Sequence, residues 1–216
     1  MFKDYLKENP DILVQSLQIY QQKQEEEIRA MAESRITDNQ AEITGKDLPS
    51  TGNPNADVTV TEFYDYNCGY CKHAIDDIEK VLETDKNVRF VFKELPILGP
   101  TSGVAAQWSM AAQRQGKFFE FHKALMRHNG EKNEQVFLQV AKEAGLDPEK
   151  LNSDAQSAEI REKVQKSRQL AMDLQIQGTP GFIINGKLFK GYLGAEGLQK
   201  AIEEARKNAA RLNFDD

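Results

Sequence analysis

The chain has two cysteines, Cys68 and Cys71, and they stand where an apolar run gives way to a helix start. Val58-Thr59-Val60-Thr61-Glu62-Phe63-Tyr64 is β-branched and aromatic, as a central strand requires. It ends at Asp65-Tyr66-Asn67, and Cys68-Gly69-Tyr70-Cys71 then opens a helix predicted to reach about Leu82. A second strand is predicted from Val88 to Leu95, stopped by Pro96. Strand, helix and strand at this spacing predict a right-handed βαβ unit on a parallel sheet.

From about Thr101 to Gln177 the pattern is helical, with Trp108, Met110, Phe118, Phe119, Phe121 and Leu125 forming an apolar face. Trp108 is expected in the core rather than lining a groove. Strand signals return at Phe182-Ile183-Ile184 and Lys187-Leu188-Phe189. The Asn185-Gly186 pair between them is the strongest short hairpin signal available. An amphipathic helix from about Ala195 to Leu212 closes the chain. The order βαβ, helical block, ββα predicts an α/β protein: a thioredoxin fold with a helical-domain insertion.

The first 36 residues read as a separate helical segment. Asn9 is placed to cap a helix that Pro10 and Asp11 begin. Leu13, Leu17, Tyr20 and Met31 share one face, joined upstream by Phe2 and Leu6, while Gln24 and Glu27 interrupt the seam. Two readings stay open: a surface helix docked on its own domain, or an oligomerisation stalk. The stalk is favoured because a linker follows, in which Gly45, Pro49, Ser50, Gly52, Asn53, Pro54 and Asn55 break any period. The expected division is a helical oligomerisation segment at 1–36, a linker at 37–57, and a redox domain at 58–216 with its insertion at about 101–177.

Thiol–disulfide exchange needs one thiolate to attack and a second thiol to resolve the mixed disulfide. Spacing i, i+3 on a first helical turn puts both sulfurs on one face, within bridging distance. Cys68 falls at the helix N-terminus, where free N–H groups and the macrodipole favour negative charge. It is therefore the predicted nucleophile, with Cys71 resolving. About one per cent of random placements of two cysteines give this spacing, and so short a loop constrains the unfolded chain little. Zinc would need His73, His122 or His128 to complete a site, and haem attachment fails because Lys72 follows Cys71. Neither a metal nor a cofactor is expected beyond the Cys68–Cys71 disulfide itself. Glu62, on the strand feeding the motif, is a candidate to move protons to and from Cys71 if buried beneath it. Thr179-Pro180, before the hairpin, reads as a turn whose proline is a candidate for the cis form.

A net charge of −6, with 34 acidic against 28 basic residues and no basic stripe, argues against nucleic acid as a partner. Met1 to Asn9 has no apolar signal core, so the expectation is either a cytosolic chain or one numbered after signal removal.

Glu62 through Lys72, together with Gly178-Thr179-Pro180-Gly181-Phe182, resembles the DsbA-like branch of the thioredoxin superfamily over roughly Pro54 to Leu212. The resemblance implies that Cys68 attacks, that Glu62 lies under the active site, and that Pro180 is cis and faces the disulfide. It also implies that Lys93 partners the buried acid and that Gly69, Tyr70, Thr179 and Pro180 meet the substrate. It implies a periplasmic protein. Gly69-Tyr70 replaces the Pro-His of strongly oxidising members, which implies a milder redox poise. Thr179, with the segment around Asn9-Pro10-Asp11, is more like the oligomeric suppressor-of-copper-sensitivity (ScsC-like) disulfide isomerases.

The expectation is an oligomeric isomerase or reductase acting on exported proteins and kept reduced by a DsbD-type membrane partner. A DsbA-like oxidase served by a DsbB-type partner is the alternative within the class. A copper-binding module using the two sulfurs is the alternative outside it.

Overall fold

The computed structural model describes residues 2–212 and, within its first and last helices, no side chain for Phe2, Lys3, Asp4 or Leu212. The Phe2 end of the expected seam therefore lies outside the described residues. Helix α1 (Phe2–Glu8) is followed by the long α2 (Asp11–Asp38), α3 (Gln40–Thr44) and strand β1 (Ser50–Gly52). Then come β2 (Val58–Tyr64), α4 (Gly69–Thr84), β3 (Val88–Glu94) and a run of five helices. These are α5 (Pro100–Arg114), α6 (Phe118–Arg127), α7 (Glu134–Glu143), α8 (Pro148–Ala155) and α9 (Ala158–Asp173). The hairpin β4 (Gly181–Ile184) and β5 (Lys187–Lys190) and helix α10 (Gly194–Leu212) complete the described residues.

The sheet order is β1-β3-β2-β4-β5. β2 and β3 run parallel across α4, as the βαβ reading requires, and the other pairs are antiparallel. Asn185 and Gly186 both hold positive φ, 47° and 84°, the backbone a two-residue hairpin turn needs.

Because side chains alternate along a strand, β2 feeds two cores. Val58, Val60 and Tyr64 join Phe90, Phe92, Phe182 and Trp108 in the larger one, with α4, α10 and the insertion helices. Phe63 and Ile183 face the other way, against Ile36, Ile43, Leu170 and Leu174.

Residues 37–57 are not the bare linker their composition suggested. Ile43 is 1% exposed, the Thr61 hydroxyl donates to its carbonyl, and β1 pairs with β3. Burying one such isoleucine is worth about 2 kcal/mol, enough to fix a short segment that sequence polarity alone would leave loose. Asn9 also differs from expectation. Its side-chain amide donates to the Tyr5 carbonyl at 2.9 Å, closing α1 instead of capping α2.

Candidate active site

Cys68 is the N-cap of α4 and sits at the mouth of the turn that leaves β2. That turn is fixed by Asp65, which is buried and accepts from the Asn67 N–H at 2.8 Å and the Ser102 hydroxyl at 2.7 Å. Its second oxygen accepts from the Ile97 and Leu98 N–H groups at 2.7 and 2.9 Å, tying the strap after β3 to the cysteine loop. Asn67 adds bonds to the Thr101 and Ser102 hydroxyls. In the sequence Asp65 and Asn67 mark only the end of a strand. Their position immediately before the cysteine pair was the available signal.

Both cysteines are thiols in the structure and both are buried. Cys68 Sγ lies 3.2 Å from the Thr179 carbonyl, to which the thiol form donates. The Cys68 pKa is lowered from 9.0 to about 5, chiefly by the hydrogen bond from Cys71, with the Tyr70 and Cys71 N–H groups adding and burial opposing. Cys71 is driven the other way, first by burial, then by its bond to Cys68 and the nearby Glu62 charge. One sulfur is thus held as thiolate and its neighbour as thiol, the division that exchange chemistry uses.

Glu62 is 1% exposed, and its Oε1 has no hydrogen-bond partner. Burial, then the Cys68 charge, raises its pKa well above the ordinary carboxylate value, favouring the protonated form. Its charge in turn raises the pKa of Cys71.

Lys93 is not its partner. The register sets Glu62 beside Phe92 and Lys93 beside Phe63, so the two side chains leave the sheet on opposite faces. Burial lowers the Lys93 pKa, and the charges that act on it are those of Glu42 and Glu94. A register one residue different would have joined them, which a strand assignment without pairing could not exclude.

The Thr179-Pro180 bond is cis, and the Thr179 hydroxyl is buried, its side chain helping to lower the Cys68 pKa. Gly69 has open space where a Cβ would point, and Tyr70 is 62% exposed. The Tyr70 ring lies 5.7 Å from that of Tyr192, whose hydroxyl donates to Asp77. Tyr192 was not singled out from sequence; no local pattern joins it to a helix more than a hundred residues earlier. His122, considered above as a zinc ligand, is buried and bonded through Nδ1 to the Tyr66 hydroxyl at 2.9 Å. Among the described residues no group of three or more His, Cys, Asp or Glu is gathered to hold a metal.

The thioredoxin family profile matches residues 44–204, and with it the sheet, the cysteine pair and the cis-proline turn. The chain belongs to the thioredoxin family. Residues 1–27 match a second profile, the copper resistance protein ScsC N-terminal domain. Among solved structures, a thioredoxin-like oxidoreductase from Silicibacter pomeroyi is 41% identical, covering 78% of this chain and 98% of that one with a TM-score of 0.74. The thiol-disulfide exchange protein alpha-DsbA2 from Wolbachia pipientis is 31% identical, with coverages of 82% and 96% and a TM-score of 0.76. A linker-deleted Proteus mirabilis ScsC, 23% identical with coverages of 95% and 92% and a TM-score of 0.77, shares the fold. The Na(+)/H(+) antiporter NhaA 1 of Salinispora arenicola is 31% identical over 71% of this chain. The chain spans about a quarter of the length of the antiporter relatives it matches, 24% for this one. DsbA-like and ScsC-like proteins are thus its structural neighbours.

Proposed function

We propose that the protein is a thiol–disulfide oxidoreductase of exported proteins, working in the periplasm as an oligomeric isomerase or reductase. The observation that carries this reading is the split between a Cys68 pKa of about 5 and a buried, protonated Cys71. Cys68 attacks a substrate disulfide, one substrate sulfur leaves, and the mixed disulfide is resolved either by Cys71 or by another substrate thiol. The second route is isomerisation. Tyr70, Tyr192, Ile97 and Leu98 offer exposed apolar surface at this end of the molecule for unfolded polypeptide. A DsbD-type membrane reductase would keep the pair reduced.

The same low Cys68 pKa supports a second reading, a DsbA-like oxidase with a DsbB-type partner, because a stabilised thiolate favours giving up the disulfide. Refolding of a scrambled-disulfide substrate and oxidation of a reduced one separate the two. The isomerase reading expects the first rate to dominate and to vanish in Cys68→Ser. Activity confined to the oxidation assay sinks it. Copper retained against a strong chelator with neither activity would turn the reading to a copper-binding module.

A further inference from the structure

Helix α4 buries Cys71, Ala74, Ile75, Asp77, Ile78 and Val81, and Asp77 is the one acid among them. Burying a carboxylate is costly unless it is hydrogen-bonded, so its partners show what the position serves. One is Lys80, 3.0 Å away on the next turn and largely in solvent. The other comes from 115 residues further along the chain: the Tyr192 hydroxyl donates to Asp77 Oδ2.

Tyr192 is tied to the redox centre from two more directions. The N–H of its neighbour Gly191 donates to the Pro180 carbonyl at 3.0 Å, and Gly191 turns the chain there with a φ of 88°. Pro180 follows Thr179, whose carbonyl lies 3.2 Å from Cys68 Sγ. The Tyr192 ring itself lies 5.7 Å from that of Tyr70, tilted by 32°, and Tyr70 stands between the two cysteines. The ring is thus held by α4 at its hydroxyl and by the cis-proline turn through the backbone beside it. Both rings nevertheless stay open to solvent, Tyr192 at 41% and Tyr70 at 62%. Aromatic surface that is fixed in place yet left uncovered loses little freedom on binding, which suits it to recognition.

We propose that Tyr192, positioned by Asp77, forms with Tyr70 an aromatic seat that selects polypeptides carrying an aromatic side chain beside the cysteine joined to Cys68. The proposal deepens the thiol–disulfide reading and rests on it. The path to the seat is clear. Gly69 has nothing within 4 Å of the place a Cβ would take, so a chain linked to Cys68 passes over it to the rings. The chemistry of the seat favours a neutral guest. The two acids whose charges reach Tyr192 are already engaged, Asp77 with Lys80 and Asp76 with Arg127 at 2.6 Å. A cationic side chain would find no unpaired carboxylate beside the rings, whereas an aromatic one gains offset stacking on both. The Asp77 bond is also the largest of the causes that raise the Tyr192 pKa from 10.0 to about 12, which keeps the hydroxyl a donor.

The test uses the reduced full-length chain and short one-cysteine peptides joined as symmetrical disulfide dimers. The peptides differ only in the residue after cysteine: phenylalanine, leucine, arginine or glycine. Cys68 attacks one peptide sulfur and the other copy leaves as a thiolate; Cys71 then displaces the first copy and closes the Cys68–Cys71 disulfide. Each rate is divided by that of the same dimer with dithiothreitol, which cancels the peptide's own reactivity. Wild type should prefer phenylalanine to glycine by about tenfold, with arginine close to glycine. Tyr192→Ala should bring that ratio close to one. Tyr70→Ala, which removes a ring already in solvent, should lower it likewise. Tyr192→Phe keeps the ring and drops the bond to Asp77, and should leave a preference of about threefold. A merely structural loss slows all four peptides alike and leaves the ratio standing. A wild-type ratio near one, or a ratio that survives Tyr192→Ala, overturns the proposal. Arginine preferred to phenylalanine overturns the aromatic guest, and a Tyr192→Phe ratio equal to wild type overturns the role given to Asp77. No exchange with any peptide in any form contradicts instead the redox reading beneath the proposal.

Discussion

At the scale of single residues, the site turns on unequal treatment of two identical side chains. Cys68 caps a helix and receives hydrogen bonds; Cys71, one turn further in, is enclosed. Thiolate absorbance should show one group titrating at about 5, and Cys68→Ser should remove it. Cys71→Ser should leave mixed disulfides trapped on Cys68, and should also move its titration upward, since Cys71 supplies the largest stabilising bond. The linkage sign is that of a depressed acid. The reduced form gains stability from Cys68 above about pH 9, and loses it progressively as pH falls through about 5. Thr179 makes a different prediction. Its side chain helps to hold the Cys68 pKa down, so Thr179→Val should move the Cys68 titration upward. The same change should shift the ratio of isomerisation to oxidation. An unchanged ratio would leave Thr179 as packing alone.

At the scale of elements, the helical insertion is bound to the sheet through polar atoms as well as rings. His122 of α6 lies 4.6 Å from Tyr64 and 4.7 Å from Phe92, centroid to centroid, while its Nδ1 meets Tyr66. Burial lowers its pKa from 6.5 to about 3. A base depressed in the folded state binds fewer protons than in the unfolded one, so stability falls as pH drops from about 6.5 toward 3. His122→Asn keeps a polar atom near the Nδ1 position without the titration. It should flatten that limb by up to about 1.4 kcal/mol per pH unit in denaturant midpoints, whatever its absolute cost. An unaltered slope would mean that His122 does not report acid sensitivity in this fold.

At the scale of the whole molecule, the long α2 is divided in its loyalties. Its last turn is anchored: Ile36 is buried and Arg35 donates to the Asp173 carbonyl at 3.0 Å. Its earlier part is not, with Leu13, Val14, Leu17 and Tyr20 each more than half exposed. Soluble monomers rarely tolerate such a stripe, and held-together redox centres gain effective concentration on one substrate. Truncation must respect the anchor, so residues 1–27 are the segment to remove rather than 1–36. The expected product is a folded monomer by light scattering that keeps the Cys68 titration and loses isomerase activity. A full-length chain that is already monomeric at working concentration would leave the oxidase reading as the better one.

What the sequence determined by itself was local in origin. The cysteine spacing, the βαβ order, the Asn-Gly hairpin and the helical character of the stretch between them follow from residues within a turn or a strand of one another, where periodicity and turn chemistry act directly. What only the tertiary structure decided depends on pairing over long separations. The register across β2 and β3 placed Lys93 on the far face from Glu62 and set Glu94 beside Tyr64. The sheet edge and the Phe63 face folded 37–57 into α3 and β1 despite its polar composition. The insertion brought Ser109 and His122 to Tyr66, from 43 and 56 residues away. Periodicity shows which residues turn inward; it does not show which of them meet, because a shift of one residue in strand pairing reverses every side chain while leaving the pattern intact.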